Sequence, residues 1–322
     1  VARQEALYAG LQISGGIGGY VNVVAGELVL LQVLPGSPAA AAGLRPGESI
    51  AAIDGVPWAQ FSSMDEAVLA ITGEVGSAVT LAVRGLDGTE REVSLTRAVI
   101  DPGGSVVQGR TIEGTHVGLL TIGDFASPDV AGRVRGTLGD LMAEGPLDGL
   151  IVDLRTNPGG DFDVVLDTLA LFVPGGAAGR LADREGATDL LIPEGGTVPE
   201  IEGLTVAVLV GPYTGGESEC FAAGMQLHGR ATIVGLPSEG DTKIPSYQAL
   251  SDGSLLAISD RVYQLPDGSA VDGRGVQPDV AVDMDWQVYN TSDDPQIQAA
   301  VEALGPRLAH RAQQSSVPVQ SA

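Results

Sequence analysis

From Val117 onward, short apolar runs alternate with helix-periodic stretches, and this alternation narrows the possible fold more than any other feature of the 322-residue chain. The runs 117–122, 147–154, 204–210 and 231–235 are apolar at most positions. A strand buried on both faces reads this way, whereas a strand with one wet face alternates apolar with polar. Between the runs, 127–143, 162–173 and 217–227 carry apolar residues at helical spacing. The alternation predicts an α/β fold with a largely parallel sheet, in which sites form at the carboxyl ends of strands. The loops Asn157-Pro-Gly-Gly160 and Gly215-Gly-Glu-Ser218 both follow apolar runs. Both are therefore expected to open on one edge of that sheet.

The first hundred residues are patterned differently. Residues 20–24 and 27–33 read as strands, and Pro35 to Gly43 as a short helix closed by Gly43 at its C′ position. A helix is expected over 62–71, capped by Ser63 with Glu66 as its capping-box partner. Strands at 79–84 and 92–95 complete a small mixed α/β unit. The organisation predicted is the end of a helical segment over 1–10, a small domain over 11–100 and a linker over 101–115 that opens with Asp101-Pro-Gly-Gly-Ser. A core over 116–290, a C-terminal helix over 291–312 and a disordered polar tail over 313–322 follow.

Charge and composition exclude several functions. A net charge of −24 opposes binding to nucleic acid and to anionic membranes. No run approaches the roughly 18 apolar residues of a membrane-spanning helix. No signal peptide is read from Val1 onward. Cys220, the one cysteine, excludes an intrachain disulfide and a cysteine zinc site, and its apolar helical setting predicts a buried thiol. His116, His228 and His310 lack metal-ligand spacing. No metal or organic cofactor is expected, and the oligomeric state is left open.

Lys243 is the single lysine, and Ser218 lies 25 residues before it. A serine becomes nucleophilic when a base takes its proton, and lysine can be that base once burial lowers its pKa. Ser218 and Lys243 are thus candidate nucleophile and base. Asp153 and Arg155 lie together at the end of a buried run and are expected to form a structural ion pair.

Several motifs resemble known families. Gly16-Ile-Gly18, Val33-Leu-Pro-Gly-Ser-Pro-Ala, Ala42-Gly-Leu-Arg-Pro-Gly-Glu and Ile50-Ala-Ala-Ile-Asp-Gly55 resemble a PDZ domain. Leu150-Ile-Val-Asp-Leu-Arg-Thr-Asn-Pro-Gly-Gly160, Gly229-Arg-Ala-Thr-Ile-Val-Gly235, Leu265-Pro-Asp-Gly268 and Gly273-Arg-Gly-Val-Gln-Pro-Asp279 are similar, in the same order, to C-terminal processing (tail-specific) serine peptidases. The likeness spans roughly residues 10 to 305. It implies a ClpP/crotonase-like peptidase core, polypeptide substrates with exposed C-termini and an extracytoplasmic setting. It further implies peptide capture by Gly16, Ile17 and Gly18, and acyl-enzyme chemistry. The oxyanion would be held by Gly159 with the N–H after the nucleophile, that of Glu217 or Glu219.

The chain departs from the family at the catalytic positions. Where the family reads Thr-Ala-Ser-Ala-Ser-Glu, this chain reads Thr214-Gly-Gly-Glu-Ser-Glu219, so Gly216 stands at the nucleophile position. Where the family reads Gly-x-x-Thr-x-Gly-Lys, Asp241 stands at the lysine position. Three readings follow. The pair has slipped by two residues to Ser218 and Lys243; the chain is a non-catalytic peptide-binding relative; or another group serves, since Gly240-Asp-Thr-Lys-Ile-Pro-Ser246 resembles a branch lacking lysine at the usual place. A two-residue shift keeps a strand side chain on its face but turns a helical one by about 200°. Glu219 is expected to cap the helix that follows, or to steer a base.

Overall fold

The computed structural model describes residues 15–100, 107–250 and 255–315. The expected helical segment over 1–10 and the start of the linker lie outside these residues, as does the tail beyond Ser315. The chain divides into two compact units, one comprising 1–104 with 284–291, the other 105–283 with 292–322. The expected boundary at residue 290 is corrected accordingly, because 284–291 pack with the first unit.

The first unit is built on an antiparallel sheet. Its strands are β1 (Gly19–Val24), β2 (Glu27–Val33), β3 (Ser49–Ile53), β5 (Ala78–Arg84) and β6 (Glu90–Thr96), in that spatial order, with β4 (Val56–Pro57) paired to β3. In β5 the residues Val79, Leu81 and Val83 are buried while the positions between them are not, the period of a sheet with one face on a core. Helix α1 (Pro38–Ala41) starts three residues later than the expected Pro35, where Ser37 can cap it. Ser37 Oγ accepts from Ala40 N at 3.1 Å, Pro38 needs no donor partner, and Gly43 turns out at φ +73°. Helix α2 (Met64–Ile71) is capped by Ser63, whose Oγ accepts from Glu66 N at 3.2 Å. The return arm is displaced by one residue from a capping box: Glu66 accepts from the N–H and hydroxyl of Ser62 at 2.7 and 2.6 Å. At the other end of α2, buried Arg97 donates to the carbonyls of Ala70 and Ile71, at the end where the helix dipole is negative.

The second unit holds two sheets. The larger has the order β16 (Val280–Ala281), β13 (Ala231–Gly235), β12 (Thr205–Val210), β9 (Gly149–Asp153), β8 (Val117–Ile122), β7 (Val107–Thr111). All its pairings are parallel except β7 with β8. β7 falls in the expected linker; its exposed, polar residues hide it from a hydrophobic pattern, and pairing with β8 makes it a strand. The central strands are buried on both faces because helices cover both. Leu120, Leu150, Val152, Val206 and Val208 pack with α3 (Val130–Glu144), α4 (Phe162–Leu169) and α5 (Glu217–Leu227). Leu119, Ile151, Ala207, Leu209 and Val234 pack instead with Ile297, Ala300 and Leu304 of α6 (Pro295–Ser315). Gly149 pairs with both Val117 and Thr205, and a Cβ on it would lie 2.8 Å from Leu304. α4 stops short of the expected residue 173, its chain tightening into turns from Thr168 to Phe172.

The smaller sheet is antiparallel, in the order β11 (Ala187–Ile192), β10 (Gly176–Ala182), β15 (Leu255–Gln264), β14 (Lys243–Ala249).

One ion cluster ties α6 to the main sheet. Arg155 lies just past β9, is 1% exposed and donates to Asp153 at 2.7 Å and to Asp294 at 2.7 Å. Asp294 also caps α6, accepting from Gln296 N at 3.0 Å. Removing one member of such a cluster leaves a buried charge uncompensated. Asp294→Ala is expected to lower unfolding free energy by about 3–5 kcal/mol, measured by urea denaturation.

Candidate functional site

Strands β13, β12 and β9 are adjacent and parallel, so the loops after them meet at one edge, as the two glycine loops were expected to do. The contacts are specific. Gly215 N donates to Asn157 O at 3.0 Å, Thr214 Oγ1 to Leu154 O at 2.7 Å, and Glu239 N to Thr214 O at 2.9 Å. Asn157 is wholly buried; its Nδ2 donates to Ile122 O at 3.0 Å and its Oδ1 accepts from Gly159 N at 2.9 Å. Gly160 lies against strand-end backbone, where a Cβ would fall 2.2 Å from the carbonyl carbon of Phe125. No other residue fits there.

Gly216, at the family's nucleophile position, has φ +55° and ψ −126° and begins α5. This is a sharp turn between strand and helix whose Cα faces the glycine loop: a Cβ on Gly216 would meet only Pro158 O at 3.3 Å and Gly159 Cα at 3.9 Å. Space for a side chain is present, but the backbone conformation favours glycine.

Ser218, two residues into α5, is 0% exposed. Its hydroxyl donates to Gly215 O at 2.7 Å and lies 2.9 Å from Asn157 O, stitching the helix start to both glycine loops. Lys243 opens β14, with its side chain 53% exposed and Nζ 3.0 Å from Asp272 Oδ1 and 3.7 Å from Asp241 Oδ1. No hydrogen bond joins Ser218 to Lys243 among the described residues. The hydrogen bond to Asp272 raises the Lys243 pKa, keeping the amine protonated, the opposite of what a general base requires. Spacing along the chain thus brought forward two residues with separate partners. Ser218 works on main-chain carbonyls, and Lys243 on carboxylates.

Three glutamates surround Gly216 instead. Glu217 Oε2 accepts from Gly160 N at 2.9 Å. Glu239 lies over Gly215, where a Cβ would meet its Oε2. Glu219 is 0% exposed; its Oε1 accepts from Ser238 Oγ at 2.6 Å and Gly240 N at 2.8 Å, and its Oε2 has no hydrogen-bond partner among the described residues. Burial pushes its pKa up to about 7, opposed by Ser238 and Gly240 and assisted by the charge on Glu239. The Gly216 N–H also favours its ionised form, but no side chain among the described residues caps the start of α5 by a hydrogen bond. Of the other oxyanion candidates, the Gly159 N–H is spent on Asn157 and the Glu219 N–H on Gly216 O at 3.1 Å.

Ser238, Asp272 and Asp294 were not singled out in the sequence. Ser238 stands inside a recognised motif, at the Thr position of Gly-x-x-Thr-x-Gly-Lys, and could have been found. The two aspartates are reached only by folding. Cys220 is buried, with its thiol pushed up to about 12 by burial, as its setting predicts. His228 Nε2 lies 3.0 Å from Ala177 O and His116 3.6 Å from Asp148, both remote from Gly216 in their bonding.

In the first unit, Ile17 is a core side chain at 2% exposure, and its carbonyl accepts from Ala39 N at 2.9 Å. Gly18 has φ +74°, and a Cβ there would fall 2.2 Å from Ser37 Cβ. Neither the Ile17 nor the Gly18 N–H donates a hydrogen bond among the described residues. They adjoin β1, an edge strand.

Two predictions follow from the buried groups. The Glu219 pKa is higher in the fold than the ordinary 4.5, so its stabilising contribution is complete below that value and lost as pH rises through about 7. The wild type is therefore expected to lose on the order of 3 kcal/mol of stability between acid and alkaline pH, and Glu219→Gln to abolish that loss, read by denaturant unfolding. Ser218→Ala is expected to cost about 1–3 kcal/mol of stability, whereas Lys243→Ala stays within about 0.5 kcal/mol. Thermal unfolding of both variants checks the contrast.

Comparison with known proteins accords with this architecture. Residues 116–282 match peptidase family S41, and residues 29–85 match a PDZ domain. A carboxyl-terminal-processing protease of Synechocystis sp. is 32% identical over 97% of this chain and 74% of its own length. A probable CtpA-like serine protease of Staphylococcus aureus is 27% identical over 83% of this chain and 52% of its own, so the chain spans about half of that relative. Among solved structures, a photosystem II D1 C-terminal processing protease aligns with TM-score 0.62 at 26% identity, over 95% of this chain and 82% of that one. A putative S41 protease from Bacteroides fragilis, 17% identical over 91% and 83% of the two chains, shares the fold with TM-score 0.63. With its parallel core, its glycine loops and its antiparallel N-terminal sheet, the chain belongs to the S41 family of serine-type, C-terminal processing peptidases that carry a PDZ domain.

Proposed function

We propose that this S41 member captures polypeptide C-termini through its PDZ domain and holds them without cutting them by a Ser218/Lys243 acyl-enzyme. The observation that carries the reading is the separate engagement of the two side chains. The Ser218 hydroxyl is buried against carbonyls and Lys243 is paired with Asp272 and Asp241. The family's own positions hold Gly216 and Asp241, neither of which can act as nucleophile or amine base. Capture is supported by the unpartnered Ile17 and Gly18 N–H groups beside an edge strand, the arrangement by which a sheet accepts an extended peptide and its terminal carboxylate. Action outside the cytoplasm goes with this proposal, on the family resemblance.

The test pairs binding with turnover. A fluorescent peptide with a free C-terminus is expected to bind at least about tenfold more tightly than its amidated form, since the amide forfeits a charge-assisted contact. The wild type is expected to leave a fluorophosphonate probe and the peptide bond untouched. Wild-type hydrolysis that disappears in both Ser218→Ala and Lys243→Ala would overturn the reading in favour of an active slipped dyad.

A further inference from the structure

We infer that the carboxylate of Glu217 is a built-in occupant of an anion position at the Gly160 N–H, so that Glu217 decides whether the cleft can accept a ligand's carboxylate or carbonyl oxygen there. The inference deepens the non-hydrolytic reading above and rests on it for its meaning, though its geometry stands alone. Glu217 immediately follows Gly216, so its side chain leaves from the turn that would present a nucleophile. It folds back over the glycine loop, and Oε2 accepts from Gly160 N at 2.9 Å. Space for that oxygen exists only because residue 159 lacks a side chain: a Cβ on Gly159 would sit 2.6 Å from Glu217 Oε2 and 2.9 Å from Glu217 N. The loop and the first turn of α5 therefore surround an anion, and the anion is the chain's own.

Chemistry explains the choice of occupant. A backbone N–H beside the positive end of a helix attracts negative oxygen whether it belongs to a carboxylate or to a tetrahedral intermediate. Charge-assisted bonds of this kind are stronger than neutral ones, and a tethered carboxylate binds without loss of translational freedom. A carbonyl group arriving at Gly216 would have to expel Glu217 before its oxygen could reach Gly160 N. Glu217 is half-buried, so its carboxylate has a path to water when displaced. Glu239, over the neighbouring Gly215, adds a further negative charge against an incoming anion.

The experiment uses the whole chain and acetate as probe. Thermal unfolding of wild type, Glu217→Ala and Glu217→Gln is followed against acetate, with chloride holding ionic strength constant. Acetate is expected to raise the Tm of Glu217→Ala alone, because only there is the position open, and a ligand binding the native state stabilises it. Glu217→Gln removes the same charge but can still place its amide oxygen on Gly160 N, so it is expected to resemble the wild type. Equal responses in all three proteins would overturn the inference. A second readout needs no opened cavity: the Gly160 amide hydrogen is expected to exchange at the wild-type rate in Glu217→Gln and faster in Glu217→Ala, where its acceptor is gone. Equal exchange in all three proteins would likewise sink it. Failure here is distinct from failure of the proposed function: wild-type hydrolysis lost in both Ser218→Ala and Lys243→Ala overturns the latter while leaving the Gly160 exchange contrast in place.

Discussion

A guanidinium cut off from water organises the loop edge of the main sheet. Arg155 sits one residue beyond the turn-off from β9, and its partners come from the strand it follows and from the start of α6. A buried cation is tolerated only when its hydrogen-bonding capacity is filled, and filling it here fixes where β9 ends. The loop that follows is then held from both sides, by Asn157 within and by Gly215 and Ser218 across. Gly215, Glu217 and Ser218 all bond directly to that anchored loop.

The main sheet was legible in the sequence because strands buried on both faces leave continuous apolar runs, and helices between them leave a distinct period. The small antiparallel sheet was not. β10 contains Gly176 and Gly179, β14 contains Pro245, and much of β15 is exposed, so none offers the apolar signal of a strand. β7 escaped for the same reason. The family signature located the loops, and the departures at Gly216 and Asp241 were visible at once. What spacing could not disclose is direction. Ser218 and Lys243 preserve an interval of 25 residues, yet one faces carbonyls inside a helix turn and the other faces Asp272 across an exposed strand. An interval counts residues; partners depend on which way each side chain leaves the backbone.

The site that results is acidic around Gly216. Its three glutamates have different surroundings and hence different roles. Glu219 is buried and bonded to Ser238, with its pKa pushed up to about 7 by burial. Glu217 is bonded to a loop amide, and Glu239 stands over Gly215. The two glycine loops thus meet at Gly216 with three carboxylates beside them.

The two-sided burial of the main sheet has a consequence for how its strands find one another. Where one face is wet, a slip by one residue exposes an apolar row and is rejected; here a slip would merely exchange one apolar core for another. Alignment must therefore be enforced by shape. Gly149, flanked by Val117 and Thr205 and roofed by Leu304, leaves room for that leucine only because it has no side chain. A single missing methyl group acts as the notch that lets three strands and a helix settle in one alignment.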